Sequence, residues 1–116
     1  MLYKAMKDFE VNKLLAEWRG LKVKPVAING SEVQLDTAPL RWLKTVDYCN
    51  NWSDIVPVAI ELGDYSIIDN MDGTSTVSLC SKTSLLNGIF SVHESPLRAL
   101  TVCCIKIYEQ QSKESK

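Results

Sequence analysis

The chain has 116 residues, 46% of them hydrophobic and 23% charged, the proportions of one soluble domain of ordinary size. Thirteen Lys and Arg against fourteen Asp and Glu leave a net charge of -1, which excludes the broad basic excess of a protein that coats nucleic acid. No run of about eighteen apolar residues occurs and the opening MLYKAMKDFE lacks the apolar core of a signal peptide, so the expectation is a single cytoplasmic domain over residues 1–116 without a membrane span.

In chain order, Asp8 reads as a helix N-cap, and Phe9, Val11, Leu14, Leu15 and Trp18 fall on one apolar stripe that Gly20 ends. This predicts a first helix over about residues 9–19, with Trp18 in the core. LKVKPVAI and SEVQLD flank Asn29-Gly30, a strong two-residue turn, and predict an antiparallel pair with Val33 and Leu35 inward and Pro25 at an edge or bulge. Residues 37–52 carry no clean period and are expected to form a loop around a short extended piece near Trp42 to Val46.

Ser53 is the expected cap of a second helix, DIVPVAIEL, which Gly63 ends. Pro57 belongs within its first turn or so, because a proline deeper in a helix costs about 3 kcal/mol. DYSIID and TSTVSLC around Asp72-Gly73 predict a second hairpin, and a further strand is expected near Gly88 to Val92. Ser95 as cap and Pro96 at the first helical position open a last helix, in which Leu97, Leu100, Cys104, Ile107 and Tyr108 recur at steps of three and four. The tail EQQSKESK has nothing to pack and is expected to fray over about residues 110–116. The predicted fold is α+β, a layered sandwich in which two or three helices pack a largely antiparallel sheet of about five strands, with Leu14, Leu15, Trp18, Leu97, Leu100 and Cys104 as core.

The four cysteines lack any Cys-x-x-Cys clip, and with His93 as the single histidine they do not compose a zinc site. Cys103 and Cys104 lie in the apolar run LRALTVCCIKI and read as buried filler. No Walker loop, G-x-G-x-x-G or G-x-S-x-G is present, and one histidine makes acid-base machinery hard to assemble. The expectation is therefore a non-enzyme without metal or cofactor, with His93 either bracing the last helix or taking a ligand or proton-transfer role.

Two polar clusters stand at helix entrances: Asn50, Asn51, Trp52, Ser53 and Asp54 before the second helix, and His93, Glu94, Ser95 and Arg98 at the last. Helix N-termini offer free amides and a positive dipole end, so such clusters either cap the helix or receive a phosphate or carboxylate. Three antiparallel strands between the two helices would start both at the same end of the sheet, where they would share one ligand. The candidate ligand-binding residues are Asn50, Asn51, Trp52, Asp54, His93 and Arg98, with Trp52 or Trp42 free to pack, to stack on a base or to meet a partner.

MKDFEVNKLLAE, DYCNNWSDIVPVAIE and HESPLRAL together resemble the NinX-like small proteins of tailed phages, and their order is similar to that of phage ABA sandwich domains. The positions that carry the resemblance are Asn50, Asn51, Asp54, Pro96, Leu97 and Arg98; the IVPVAIEL helix and the DGTSTVSLCSKTSLLNG stretch depart from it. It implies an accessory phage protein with a layered α/β fold and no established catalytic residues, acting in the host cytoplasm. On that footing the expected role is a non-catalytic, counter-defence binding module that sequesters a cyclic or ADP-ribose-type nucleotide. The alternatives are an inhibitor of a host defence protein, a nucleic-acid accessory factor in recombination or regulation, for which Lys22, Lys24, Arg41 and Lys44 would supply a local patch, and, third, a small phosphoryl-processing enzyme. A homo-oligomer is expected, joined at Trp42 or at an exposed strand edge.

Overall fold

In a computed structural model, residues 6–23, 30–35, 44–81 and 89–114 are described. Asp8–Trp18 form α1, Val33–Leu35 β1, Lys44–Val46 β2, Trp52–Leu62 α2, Gly63–Asp69 β3, Ser75–Ser81 β4, Ile89–His93 β5 and Pro96–Glu114 α3. The α+β layered architecture is as the sequence predicts. Its five strands are divided between a β1-β2 pair and a β3-β4-β5 sheet, all antiparallel, because α2 intervenes after β2 and β3 opens a new sheet.

Two of the helix starts differ from expectation. The cap of α1 is Lys7, and Asp8 stands in the first turn, where a carboxylate meets the positive end of the helix dipole. Asn51, not Ser53, caps α2: its side-chain oxygen accepts the Ser53 amide at 3.0 Å, which makes Trp52 the first helical residue. Pro57 consequently sits in the second turn rather than the first, on an exposed side of α2, and leaves the Ser53 carbonyl without its usual helical donor. Ser95 and Pro96 open α3 as predicted, with the Arg98 amide donating to Ser95 Oγ at 3.3 Å.

The end of α1 is a Schellman turn. The Leu21 amide reaches the Ala16 carbonyl and the Gly20 amide the Glu17 carbonyl, both at 3.0 Å, while Gly20 takes φ +80° without a Cβ penalty. An antiparallel bridge joins Val23 to Leu35, consistent with the first predicted hairpin, whose residues 24–29 lie outside the described ones. Gln34 is buried along with Val33 and Leu35, so β1 is covered on both faces instead of alternating.

The core gathers around α3. It packs on β4 and β5 and, on its other sides, on α1 and α2, so that Ala99, Leu100, Val102, Cys103, Cys104, Ile105 and Ile107 are all buried. A single apolar stripe would not serve such a position; a helix apolar nearly all round belongs in the middle of a fold. Leu15, Leu100 and Cys104 are fully buried, as the sequence predicts, and Leu14 and Leu97 pack partly buried against them. Trp18 is the exception. As the last residue of α1 it passes the edge of the core, remains 36% exposed and stacks on Tyr108 with ring centroids 6.4 Å apart. Helix α3 also continues to Glu114, with Gln110 and Gln111 half-buried, where a frayed end is expected from the sequence.

Candidate functional site

Both predicted entrances arrive at one carboxylate. Asp8, at the start of α1, accepts from Arg98 Nη1 at 2.6 Å through Oδ1 and from Asn50 Nδ2 at 3.2 Å through Oδ2. Arg98 Nη2 donates to the Met6 carbonyl as well. The starts of α1, α2 and α3 therefore meet at a single junction, as three antiparallel strands between α2 and α3 allow.

Behind Asp8 the junction continues into the core through Asp47 and Asn12. Asn12 is fully buried and fully satisfied: Nδ2 donates to the Ser31 carbonyl and to Asp47 Oδ1, both at 2.8 Å, and Oδ1 accepts the Cys49 amide at 2.9 Å. Ser31 Oγ donates to Asp47 Oδ2 at 2.6 Å, and the Asp47 amide donates to Asp54 Oδ2 at 2.9 Å. Asn50 Nδ2 also lies 3.0 Å from Ser31 Oγ and 3.1 Å from Asp47 Oδ1. Among the described residues the junction thus links three carboxylates in sequence, Asp8, Asp47 and Asp54, and the Arg98 guanidinium meets the first of them. The arrangement ties chain segments together, and its excess negative charge weighs against a free phosphate.

The predicted site residues divide accordingly. Asn50, Asp54 and Arg98 belong to the junction. Asn51 caps α2, and Trp52 is 45% exposed at the first turn of α2. His93 is half-buried, and its Nδ1 accepts the Ser95 amide at 2.9 Å, which braces the turn into α3. Trp42, Lys24 and Arg41 lie outside the described residues, as does the side chain of Lys44; Lys22 is exposed. Asp8, Asn12, Ser31 and Asp47 were not legible as partners of these groups. The one available signal was Asn12, a polar residue adjoining Val11 and set four positions from Asp8 on the buried side of α1.

A second polar contact sits farther along α1, where Arg19 Nη1 donates to the buried Tyr48 hydroxyl at 2.7 Å and its guanidinium lies 5.8 Å from the ring centroid. Burial raises the Tyr48 hydroxyl above its ordinary pKa, against the lowering pull of Arg19. Burial likewise pushes the Cys49 and Cys103 thiols up to about 12 and raises that of Cys104, which keeps all three protonated and inert at neutral pH. Cys80 is the exposed member of the four. Among the described residues no three His, Cys, Asp or Glu side chains are grouped to hold a metal ion, and no helix is long and apolar enough to cross a membrane.

The other surface feature is the outer face of the three-stranded sheet. Val77 and Leu79 on β4 point inward and are fully buried; the alternate positions point away from α3. There Ile68 on β3 is 60% exposed, and Phe90 and Val92 on β5 are 64% and 42% exposed. Thr76, Ser78 and Cys80 lie between the flanking strands, and Ser66 Oγ and Ser78 Oγ are hydrogen-bonded at 2.6 Å. At the tip of the β3-β4 hairpin Met71 is 89% exposed in the left-handed region at φ +66°.

No family model matches the chain, and no curated protein or solved structure matches it.

Proposed function

We propose that the chain is a non-catalytic binding module that acts through protein contact, with the outer face of β3-β4-β5 as its contact surface. One observation carries this reading: on the face turned away from α3, Phe90 and Val92 of β5 and Ile68 of β3 are exposed on either side of the small residues of β4. An antiparallel sheet with one face in the core ordinarily turns polar residues outward, so large apolar residues there serve an occupant. Read with the resemblance to NinX-like phage proteins, the module works in the host cytoplasm and blunts a defence by occupying protein surface. The test is phage plating on a defence-bearing host that expresses the chain. Protection that disappears with the pair Ile68→Ser and Phe90→Ser, and persists with Trp52→Ala, is the expected outcome; protection indifferent to the face variant overturns the contact surface.

Sequestration of a cyclic or ADP-ribose-type nucleotide is the second reading, favoured by the meeting of Asn50 and Arg98 at Asp8 near the exposed Trp52. Its charge balance ranks it second, since Arg98 is already paired with Asp8. Calorimetry with those nucleotides decides it: binding weakened by Trp52→Ala supports the reading, and absence of heat with every nucleotide sinks it.

A further inference from the structure

We infer that a second copy of this chain covers the outer face of the three-stranded sheet, the two sheets stacked about a two-fold axis that runs along β4 between them. The inference rests on the contact-surface reading above and names its occupant.

The strand register shows why a copy of the same face fits. Ile68, Thr76 and Val92 form one row across the sheet, and Ser66, Ser78 and Phe90 form the next. A half-turn about an axis parallel to β4 exchanges β3 with β5 and leaves each row at its own height. Val92 of one copy then stands over Ile68 of the other, aliphatic against aliphatic, and the Phe90 ring stands over the small Ser66, where there is room for it. Both pairings occur twice, as an isologous contact requires. Thr76, Ser78 and Cys80 lie near the axis and face their own counterparts, with the sheets about 10 Å apart.

Charge is compatible with the same occupant. Of the outward residues on the three strands only Asp64 is charged, and it lies on the last outward row, paired with Cys80. The half-turn sends the two Asp64 side chains to opposite edges, about 10 Å apart by strand spacing, about one screening length at physiological salt, so their repulsion is largely damped. Nothing on the face asks for a strongly charged partner. Two seven-residue strands and one of five, three abreast, present a plane of at most about 23 by 14 Å, less than the ~800 Å² per partner of a standard stable interface. The dimer is therefore weak and concentration-dependent.

Cys80 supplies a native probe, because Cys49, Cys103 and Cys104 are buried. Sedimentation from low micromolar to submillimolar protein is expected to show the mass rising from one chain of 13.0 kDa toward two. Over the same range a short bis-maleimide is expected to couple two wild-type chains and to leave Cys80→Ser uncoupled. Phe90→Asp moves the association to at least about tenfold higher concentration, as does Ile68→Asp, and the circular dichroism of either variant establishes that it folds. A chain that stays monomeric throughout overturns the second copy as occupant and leaves the contact surface to the plating test. A dimer that ignores both substitutions and does not couple at Cys80 overturns the face itself.

Discussion

Asp8 and Arg98 lie 90 positions apart in the chain and close on each other as an ion pair of 2.6 Å. Arg98 stands in the first turn of α3, where a cation opposes the helix dipole, and Asp8 stands in the first turn of α1, where a carboxylate suits it. Their pairing, with the bond from Arg98 to the Met6 carbonyl, fastens the N-terminal segment to the last helix.

Arg98→Ala is accordingly expected to destabilise the domain by about 1.5–3 kcal/mol, the worth of hydrogen bonds to a charged group. Asp8 is one-third exposed, so water takes over part of its solvation and keeps the loss below that of a fully buried pair. Arg98→Lys recovers little, because one ammonium does not reproduce a guanidinium that reaches two acceptors at once. Urea unfolding measures both, and an unchanged midpoint for Arg98→Ala would show that the pair adds nothing.

Asn12→Ala should cost about 2–4 kcal/mol, since it removes the acceptor of the Cys49 amide, the Asn12 donor of the Ser31 carbonyl and one of the donors to Asp47. Asn12→Asp keeps the acceptor but sets a second carboxylate against Asp47. Its penalty is therefore larger at neutral pH than near pH 4, the ordinary carboxylate range, and equal penalties at the two pH values would refute the placement.

Leu100 is fully buried on α3 at the centre of the core. Leu100→Ala is expected to lower stability by about 2–5 kcal/mol, the range for large truncations in close-packed interiors. Thermal or urea denaturation indistinguishable from wild type would contradict that location.

Alkaline pH tests the buried thiols. Cys49 and Cys103 are raised from 9.0 to about 12 in the folded protein, and Cys104 is raised too, in each case chiefly by burial. The unfolded chain then gives up these protons first, so their contribution to stability is complete below pH 9 and falls as pH climbs toward the folded values. Each thiol takes away about 1.4 kcal/mol per pH unit across that window. Denaturant midpoints measured above pH 9 should fall steeply for wild type and less steeply for Cys103→Ala, after allowance for its lower starting stability. A thiol reagent at neutral pH should modify Cys80 alone; equal rates at the other cysteines would show that they are not buried.

Several structural elements depend on short-range chemistry, and these are the ones legible from residue order. Pro96 behind Ser95 and Asp72-Gly73 between two strand-like runs each bias a few neighbouring dihedral angles, whatever the remainder of the chain does. The misplacements are of the same short range: Ser53 is read as the cap of α2 where Asn51, two residues earlier and equally able to accept an amide, takes that place and sets Pro57 one turn deeper. Trp18 fits the apolar period of α1, but periodicity does not tell where a helix outruns its core.

The sequence by itself therefore determined the α+β class, the three helices, the second hairpin and the candidate entrances with Asn50 and Arg98. Tertiary structure alone decided that these two side chains share Asp8, that Asn12 and Asp47 continue the junction inward, and that the outer sheet face carries Ile68, Phe90 and Val92 together. The physical reason is distance along the chain. Helix caps and turns act over two to four residues, whereas the Asn50–Asp8 and Arg98–Asp8 contacts span 42 and 90 positions and exist only once α3 has been enclosed by α1, α2 and the sheet.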